Sequence, residues 1–578
     1  MASGSSDAPP PVAPWDAADR IVLGRTPGGA IVAVALDREG AAGRRPLSDA
    51  ELPAWVALRE AEAARAGRGV RWIWSGSAEW YPRLLAAGVR VSRCHDLRLC
   101  RAILALAVPD PADTRDGGWD EAVDDDAPDA LFEIGGDAPR PSAFDRTLAE
   151  YERQEAALAR AADPGRLRLL LAAESAGSLV AAELRAAGLP WDADRHDALL
   201  RTELGERIAG GTPARIAQTA AAVRAALGDP AASLDSQPKL LRALHRAGVR
   251  VESTSKWELA EHDHPVIEPL LEYKRLMRLY TANGWAWLAE WVRDGRFRPV
   301  YVPGGVVTGR WASSGGGALQ IPRGLRDAVR ADPGWVMIDA DVAQLEPRVL
   351  AAMARDERMA AAAGSDLYEG VVASGAVATR AEAKVAMLGA LYGSTTGDSG
   401  RLVPRLRQVF PRAMALVDAA AREGERGGQV STWLGRVSPA PSAAWLEAQR
   451  RASDGAADEQ RARRLARDQG RFTRNFVVQG TAAEWALAWL ADLRARLAAI
   501  PPVPEDHAAR ASGPVFARRP HLAFFLHDEV MVHAPAERAE EAADAIRGAA
   551  EAAGRLLFGS FPIAFPLDVR IGRSVAKD

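Results

Sequence analysis

The sequence has little of what marks a membrane protein, a secreted protein or a thiolate metal site. No stretch reaches the eighteen or more unbroken apolar residues that a membrane span needs. The first residues lack the basic and then apolar pattern of a secretory signal and predict a disordered tail. Only two cysteines occur, Cys94 and Cys100, and we interpret them as buried apolar side chains, without a disulfide or a zinc site. These absences predict a cytoplasmic protein that makes no contact with a membrane.

The sequence also lacks the positive charge that nucleic-acid-binding proteins usually carry. Its 73 Lys and Arg residues are outnumbered by 76 Asp and Glu residues, which gives a net charge of −3. Such a chain can still hold DNA if acidic residues collect away from a basic groove, and segment 108–145 has such a collection. The run Asp124, Asp125 and Asp126 in that segment could be a metal site. Its Pro-rich, aperiodic surroundings favour a solvated linker.

Length and periodicity predict several domains. At roughly 150 residues per domain, 578 residues are too many for one core. Residues 21–165 are typical of a small α/β domain, because IVLGRTPGGAIVAVALD alternates as two short strands and RWIWSGSAEWYPRLLAAGVRV has the pattern of strand, helix and strand. From about Leu148 to Trp291, segments with helical spacing predict a mainly helical region.

The first candidate site residue follows an apolar run in VMIDADVAQLEPRVLAAMARD. The run from Trp335 to Ile338 has β-like character and delivers Asp341 at its end, and helical periodicity follows. A carboxylate at a rigid strand end is well placed to hold Mg²⁺, which prefers oxygen ligands in a tight geometry. On spacing alone Asp339 is an equal candidate, and an Asp at a strand end can also be an ordinary turn residue.

A second carboxylate is offered by HLAFFLHDEVMVHAP. Leu522 to Leu526 form an apolar strand, and Val530 to Val532 resume it after an interruption by three polar residues, His527, Asp528 and Glu529. A hairpin tip can present a carboxylate to a second strand, and two carboxylates from separate strands can hold the metal pair used in phosphoryl transfer. As an isolated tripeptide, HDE is more typical of a plain hairpin turn.

Between these two motifs lies TRAEAKVAMLGALYGS, in which four side chains are spaced by four residues, namely Arg380, Lys384, Leu388 and Tyr392. Steps of four drift by only about 40° around a helix, so the four share one face that is about 18 Å long. Arg380 and Lys384 could grip a triphosphate and Tyr392 could abut a base pair, before Gly393 ends the helix. Taken alone, the segment is more typical of a surface helix with two solvated cations.

The order of strand-end Asp, basic helix and HDE hairpin resembles motifs A, B and C of family A DNA polymerases. The resemblance implies that Asp341 and Asp528 are catalytic metal ligands and that Lys384 and Glu529 belong to the catalytic set. It implies that Glu346 excludes a ribose 2′-hydroxyl, and Arg348 matches the motif as well. The implied nucleotide-binding residues are Gln344, Glu346, Arg380, Lys384, Leu388 and Tyr392.

Flanking segments extend the resemblance from about residue 233 to the carboxyl terminus. TGRWASSGGGALQIP is similar to the segment that opens the family's palm, with Arg310 as its minor-groove and substrate-contacting arginine. RFTRNFVVQGTAAEWAL is similar to a helix along the primer–template, and LDSQPKLL, STSKWEL and LEYKRLMRL resemble the thumb. Asn, Gln and Arg side chains can donate to the minor-groove acceptors that every correct base pair presents, so they check pairing without reading sequence. The implied DNA-binding residues are Arg310, Arg471, Asn475, Gln479 and His527.

The fold class that the resemblance implies is α/β multidomain. A small α/β exonuclease-like (ribonuclease H-like) domain precedes a right-hand polymerase with a helical thumb, an antiparallel-sheet palm and helical fingers. The expected segments are a tail at 1–20, the exonuclease-like domain at 21–165 with the acidic linker 108–145, connection and thumb at 166–300, palm at 301–352 and 471–578, and fingers at 353–470. No 5′-nuclease domain is expected ahead of them.

The exonuclease-like domain lacks the acidic cluster that a 3′–5′ exonuclease needs for two metals. Aligning WYPRLLAAGV on the second exonuclease motif puts Trp80 where an Asp is required. Asp37 and Glu39 form the one Asp-x-Glu near the first motif but follow what looks like a later strand, and a solvated turn explains them as well. Tyr151 and Glu155 have the spacing of the third motif, with Glu in place of Asp. We expect proofreading to be inactive.

The function that the resemblance implies is a template-directed DNA polymerase of DNA repair or replication, which extends a primer with dNTPs. Two Mg²⁺ ions, or Mn²⁺ as a substitute, would be held by Asp341 and Asp528, and Lys384 would protonate the leaving pyrophosphate. The expected partners are primer–template DNA and dNTPs, and the expected form is a monomer in the cytoplasm, associated with the nucleoid.

Three departures from the family pattern predict altered substrate discrimination and tolerance of unusual nucleotides. Val342 and Ala343 replace a common Tyr-Ser pair, the segment after Arg310 lacks one Asn, and Leu388 replaces the aromatic residue that packs against the incoming sugar. None of these changes removes a catalytic carboxylate, so activity is expected to survive.

Two other functional classes remain open at the level of sequence. A single-subunit RNA polymerase shares this palm and two of these carboxylates, but Glu346 favours deoxyribonucleotides. A catalytically silent DNA-binding scaffold is opposed by the retention of Asp341, Lys384 and Asp528.

Overall fold

The computed structural model describes Trp15 and residues 18–37, 40–109, 143–208, 211–317, 321–393 and 397–576. The acidic run Asp124 to Asp126 and the candidate Glu39 lie outside the described residues. The chain divides into two compact units. The first comprises Met1–Ala187, Tyr301–Ala312 and Ile338–Arg570, and the second comprises Gly188–Val300, Ser313–Met337 and Ile571–Asp578. The finer division into exonuclease-like domain, thumb, palm and fingers stays a prediction.

The amino-terminal part of the first unit is a mixed five-stranded sheet with its helices. The strand order is β3-β2-β1-β4-β5, in which β1 pairs antiparallel with β2 and parallel with β4. Two strands followed by strand, helix and strand are therefore present as predicted. The elements are β1 (Arg20–Arg25), β2 (Ile31–Leu36), β3 (Ala41–Leu47), α1 (Leu52–Arg65), β4 (Arg71–Trp74), α2 (Ser77–Ala86), β5 (Arg93–Asp96), α3 (Leu97–Ala107), α4 (Ala143–Arg160) and α5 (Pro164–Ala187).

β1 and β2 are buried on both faces of this sheet, because their successive side chains point to opposite faces and nearly all of them are buried, whereas β3 is mostly exposed. Ile21 and Leu23 of β1 lie in a large apolar cluster. Val22, between them, lies in a second cluster that also contains Phe144 and Tyr151 of α4. Strands that are buried on both faces have continuous apolar runs, which explains the sequence IVAVAL of β2.

The second unit is mainly helical, as predicted for this part of the chain. Its apolar helix faces meet in one cluster. A separate aromatic group joins Trp191, Trp287 and Phe297, whose ring centroids are 4.9 to 5.6 Å apart. The elements are β6 (Leu189–Pro190), α6 (Ala193–Leu204), α7 (Ala214–Leu227), α8 (Gln237–Arg246), α9 (Lys256–Leu259), α10 (Ile267–Asn283), α11 (Trp285–Trp291), β7 (Val292–Arg293) and β8 (Arg296–Phe297).

The remaining chain contains a four-stranded sheet of order β12-β13-β11-β14 and most of the helices. The elements are β9 (Val300–Val302), β10 (Ala312–Gly315), β11 (Trp335–Val342), α12 (Leu345–Ala354), α13 (Glu357–Ala362), α14 (Leu367–Ala373), α15 (Arg380–Tyr392), α16 (Gly397–Val409), α17 (Pro411–Glu425), α18 (Ala443–Arg450), α19 (Ala456–Ala499), α20 (Gly513–Phe516), β12 (His521–Leu526), β13 (Glu529–Pro535), α21 (Ala539–Phe558) and β14 (Leu567–Gly572). None of the described helices is both long and apolar enough to cross a membrane.

Helix α19 is the longest element, with 44 residues and a length of about 66 Å. Every residue from 480 to 490 is buried, so the helix is enclosed on all sides at its middle. A helix that is covered all round has no polar face there, which explains the sequence GTAAEWALAWL. The exposed first part of the helix, by contrast, is rich in arginine.

Both cysteines are buried and free, so their predicted burial is confirmed. Burial raises the pKa of the Cys94 thiol to about 12 and that of Cys100 well above its usual value. At neutral pH both thiols are therefore protonated and unreactive.

A buried ion-pair network ties the amino-terminal sheet to α19. Glu183 of α5 accepts hydrogen bonds from Arg494 of α19 at 2.6 Å, from Arg90 at 3.0 Å and from the Tyr81 hydroxyl at 2.6 Å. Burial alone would raise the pKa of Glu183, but the charges of Arg494 and Arg90 hold it at about 2. A single carboxylate thus compensates two guanidinium groups.

The substitution Glu183→Gln should lower the free energy of unfolding by about 3 kcal/mol at neutral pH, because it leaves two buried guanidinium groups without a counter-charge. The folded pKa of about 2 lies below the ordinary value of 4.5. The stabilisation is therefore complete above about pH 4.5 and disappears as the pH falls toward 2. Urea unfolding of both proteins across this pH range measures the difference, and a pH-independent difference would contradict the ion-pair explanation.

Candidate functional site

Two carboxylates from neighbouring strands meet at one edge of the four-stranded sheet. β11 carries Asp341 next to its last residue. β12 and β13 form a hairpin whose two-residue turn is His527-Asp528, since Leu526 pairs with Glu529. The Val342 amide donates a hydrogen bond to the Asp528 carbonyl at 2.9 Å, which fixes the turn against β11. The predicted hairpin is present, although Glu529 already belongs to β13 and is buried.

The electrostatics of this edge favour a bound cation. Burial and the negative charge of Asp341 raise the pKa of Asp528 to about 6. The two carboxylates therefore oppose each other's ionisation, and a divalent cation between them would remove that repulsion. Carboxylate oxygens are the ligands that Mg²⁺ prefers, so the donor set fits such an ion. Among the described residues there is no group of three or more His, Cys, Asp or Glu side chains that could hold a metal.

His527 occupies the strained position of the hairpin turn, with a φ of +55°. His is one of the few residues with a side chain that adopts this left-handed region comparatively often. Burial and the charge of Arg310 lower the pKa of His527 to about 4, so its ring is neutral at physiological pH. His527, the residue next to Asp528, thus adds no positive charge to the site.

A hydrogen-bonded chain joins three of the predicted site residues. Glu346 at the start of α12 accepts hydrogen bonds from the Arg310 guanidinium and, at 2.9 Å, from the hydroxyl of Tyr392. Burial and the charge of Glu346 raise the pKa of Tyr392 to about 12, which keeps that hydroxyl protonated as a donor. The end of α15 is thereby linked to the start of α12 and, through Glu346, to Arg310.

These groups border a cavity of about 290 Å³. Ligand cavities for small molecules start at roughly 300 Å³, so this cavity has the size of a small ligand site. Its walls are apolar on the α19 side, and its polar groups converge from α15, α12 and the hairpin. Seven of the predicted site residues line it, namely Arg310, Gln344, Glu346, Leu388, Tyr392, His527 and Asp528.

Comparison with known proteins identifies the family. Residues 233–577 match the model of DNA polymerase family A, which is more than half of the chain. The chain belongs to this family. It is 28% identical over 356 residues to the thermostable DNA polymerase I of Thermus aquaticus, a match of 57% of this chain and 38% of that protein. It is 29% identical over 343 residues to the DNA polymerase I of Chloroflexus aurantiacus, with 54% of this chain and 33% of that protein covered.

A solved structure extends the likeness beyond the matched segment. The POL domain of Pol1 from M. smegmatis, in complex with DNA primer-template and dNTP, superposes with a TM-score of 0.66 at 18% identity. The likeness covers 97% of this chain and 96% of that one, so the α/β fold of a polymerase I is shared over the amino-terminal sheet as well. The chain spans between a third and two fifths of the length of the two curated relatives.

Helix α15 of this family A chain begins and ends as its sequence predicts. The Thr379 hydroxyl caps its first turn by accepting from the Glu382 amide at 3.2 Å. Gly393 ends it with a φ of +70°, and a Cβ there would lie 2.9 Å from the Arg471 side chain. The helix end therefore needs glycine both for its conformation and for the close approach of α19.

The two cations of α15 differ in their surroundings. Arg380 is paired with Asp366 at 2.8 Å and lies over the Tyr368 ring at 5.5 Å. Lys384 is exposed and has no ion-pair partner within the described part of the chain. Arg380 could contact a phosphate only if it released Asp366. The Lys384 ammonium could contact a phosphate without breaking an ion pair.

Gln344 and Arg348 have a structural role that the family motif does not reveal. The Gln344 side-chain oxygen accepts from Arg348 and from the Leu367 amide, both at 3.2 Å. Arg348 is fully buried and also donates to four backbone carbonyls, those of Ala343, Gly364, Ser365 and Ala564. Together they fix the loop after β11, and the partners are too distant in sequence for the motif to indicate them.

A row of donors runs along one face of α19. Arg471, Asn475 and Gln479 are there as predicted, and Gln479 accepts a hydrogen bond from Thr308 at 3.1 Å. At 100° per residue they share an arc of about 120° with three exposed arginines that sequence analysis missed. None of the three has a carboxylate partner among the described residues. Their spacing of three residues could have indicated from the sequence that they share one helix face. They are Arg461, Arg464 and Arg467.

The positions where the resemblance would put an exonuclease site carry apolar or structural side chains. Trp80 is buried in the large cluster of the amino-terminal sheet, and Tyr151 accepts a hydrogen bond from Arg20 at 3.4 Å. Asp37 follows β2, not β1, and its carboxylate accepts from the Gly40 amide at 2.9 Å, which closes a turn. The turn interpretation of this Asp is therefore favoured.

The repulsion within the carboxylate pair predicts that Asp528→Asn stabilises the metal-free protein. The folded pKa of about 6 lies above the ordinary 3.8, so ionisation of Asp528 destabilises the fold progressively from about pH 4 to pH 6. At pH 8 the substitution should raise the free energy of unfolding by about 1 to 3 kcal/mol, and near pH 4 by almost nothing. Thermal unfolding in EDTA measures this. Asp568→Asn, an exposed carboxylate on β14, is the control and should change little.

Proposed function

We propose that the protein is a template-directed DNA polymerase that adds deoxyribonucleotides to a primer 3′ end. The observation that carries the proposal is that Asp528, which interacts electrostatically with Asp341, lines a cavity that Leu388 and Tyr392 of helix α15 also line. Membership of family A and likeness to a structure solved with primer-template and dNTP support it.

The residues that would hold two Mg²⁺ ions are Asp341 and Asp528. Bound metal would lower the pKa of the primer 3′-hydroxyl and stabilise the charge that develops on the leaving pyrophosphate. Lys384 is the proposed proton donor to that leaving group, because its ammonium is exposed and has no competing carboxylate among the described residues. Arg380 supports the phosphates once it leaves Asp366.

Discrimination between nucleotides is assigned to the side chains around the cavity. Glu346, held by Arg310 and Tyr392, lines the cavity and is proposed to exclude a ribose 2′-hydroxyl. Leu388 lines the same space without the aromatic ring that is usual there, which supports altered discrimination. The use of deoxyribonucleotides separates this proposal from an RNA polymerase.

The DNA is proposed to lie along α19 and the segment around Arg310. Asn475 and Gln479 can donate to minor-groove acceptors that every correct base pair presents. The arginines further along the same face extend this row over about 27 Å from residue 461 to residue 479, and guanidinium groups with this spacing suit a phosphate backbone.

We further propose that the amino-terminal sheet has no 3′–5′ exonuclease activity. The face of β1 that would carry catalytic carboxylates instead packs Val22 with Phe144 and Tyr151. An apolar cluster of this kind offers no ligand to the two metals on which such an activity depends.

Extension of a labelled primer on a DNA template tests the proposal. The wild type with dNTPs and Mg²⁺ should extend the primer, and Asp341→Ala or Asp528→Ala should each reduce the rate about a thousandfold or more, because metal ligation supplies several kcal/mol of transition-state stabilisation. Asp568→Asn is the matched control and should extend normally.

The same assay separates the alternatives. A wild type that binds the duplex but adds nothing would make the protein a DNA-binding scaffold, and preferential use of rNTPs would make it an RNA polymerase. Primer shortening in a reaction without dNTPs would contradict the proposal that the amino-terminal sheet is inactive.

The exposed arginines of α19 predict how strongly primer–template binding depends on salt concentration. Replacing Arg461, Arg464 and Arg467 together by Gln should weaken primer–template binding and reduce the slope of log K against log salt by about 2 to 3, because each lost phosphate contact removes roughly 0.9. Fluorescence anisotropy over a salt series measures the slope. Replacing Arg547 and Arg555 of α21 together with Arg538, which immediately precedes that helix, changes the net charge equally and should leave the slope near the wild-type value. Equal effects would mean that only overall charge matters.

A further inference from the structure

A second cavity, of about 240 Å³, lies between the turn that follows α2, the short helix α20 and the end of α19. It shares no lining residue with the cavity beside Asp528. Its ionisable lining residues are Arg90, Glu183, Arg494, Arg519 and His521. Three guanidinium groups thus border one space with a single carboxylate.

The Glu183 carboxylate is already engaged in two ion pairs. Glu183 is 3% exposed and accepts from both Arg90 and Arg494. Arg519 has a different environment, because its donations are to backbone carbonyls, those of Ala498 at 3.1 Å and Ile500 at 2.7 Å. Both bonds come from one terminal nitrogen, so the Nε and the other Nη of Arg519 have no acceptor among the described residues.

Among the described residues, no carboxylate other than Glu183 lines the cavity. Glu60 interacts electrostatically with Arg494 but does not line the cavity, and it already accepts from the Trp72 indole at 2.6 Å and the Ser92 amide at 3.0 Å. Glu505 lies beside Arg518, at 3.8 Å, outside the lining. The lining therefore has two positive charges in excess, and partly buried charge is unfavourable unless it is compensated.

We propose that this cavity binds a phosphate-type oxyanion. Guanidinium groups present parallel N–H donors that match the oxygens of a phosphate, and a dianion would neutralise the excess of two charges. The bound anion would also fasten the amino-terminal sheet to α19, since Arg494 donates to the Ser92 carbonyl at 2.8 Å next to the cavity. The volume admits either inorganic phosphate or the phosphate of a deoxynucleoside monophosphate.

Thermal unfolding of the full chain with inorganic phosphate, at an ionic strength matched with chloride, tests the proposal. The Tm of the wild type should rise with phosphate and reach saturation, because the ligand binds the folded state. Arg519→Gln should weaken phosphate binding about tenfold or more, since it removes charge-assisted hydrogen bonds. Arg518→Gln is the matched control and should respond as the wild type, because this neighbour does not line the cavity.

A second variant keeps the test decisive if Arg519→Gln does not fold. Pro514 is exposed and lines the cavity, so Pro514→Glu would place a carboxylate among the arginines. It should raise the Tm in phosphate-free buffer and abolish the response to phosphate. If the arginines only stabilise the fold, Pro514→Glu should neither raise the Tm in phosphate-free buffer nor remove the response to phosphate.

Two further arms identify the ligand and its location. Parallel titrations with inorganic phosphate and deoxynucleoside monophosphate show which source binds more tightly. Lys384→Gln should keep the full response, because the site is separate from the proposed nucleotide cavity. The proposal is overturned if phosphate changes the wild-type Tm no more than chloride does, if Arg518→Gln loses the response as Arg519→Gln does, or if Lys384→Gln abolishes it.

Discussion

The repulsion between Asp341 and Asp528 is the constraint that the polymerase half of the molecule must satisfy. Two carboxylates that oppose each other's ionisation do not stay together unless the backbone holds them. β13 lies between β12 and β11, and the hydrogen bond from Val342 to the Asp528 carbonyl fixes the turn. The left-handed backbone at His527 forms the tight turn of this hairpin. The fold thus stores an unfavourable charge pair that a divalent cation can relieve.

Arg310 offsets the charge of this pair only in part, because its positive charge lowers the pKa of Asp528 while burial and Asp341 keep that pKa raised. Arg310 is close enough to lower the pKa of His527, yet its guanidinium is bonded to Glu346. Glu346 also accepts from Tyr392, so the arginine and the end of α15 share one carboxylate. A nucleotide that enters the cavity meets a donor network whose charges are already balanced. In the proposed function, the remaining negative charge of Asp341 and Asp528 is what would attract the metal ions.

Sequence alone predicted those parts of the site that depend on local pattern. Strand, hairpin and helix around Asp341, Asp528 and Lys384 follow from periodicity and turn chemistry within a few residues. The pairing of Arg380 with Asp366 was not predictable in this way, because its partner lies fourteen residues away across a change of direction. The burial of Arg348 depends on carbonyls up to 216 residues distant. Long-range polar contacts of this kind leave no periodic signal.

The amino-terminal sheet packs through an apolar face, and the helix α5 beside it is joined to the rest of the first unit by buried ion pairs. Where a catalytic cluster would lie, β1 contributes Val22 to an apolar cluster. Helix α5 of the same region nevertheless keeps two buried carboxylates in ion pairs, Glu183 with Arg494 and Glu174 with Arg436 at 2.6 Å. A Cβ at Gly309, next to Arg310, would lie 2.7 Å from that Arg436 guanidinium. Breaking a buried pair costs about 3 to 5 kcal/mol, so these contacts resist change whether or not the sheet carries out chemistry. Through them, helix α5 beside the sheet supports α19 and the loop that contains Arg310.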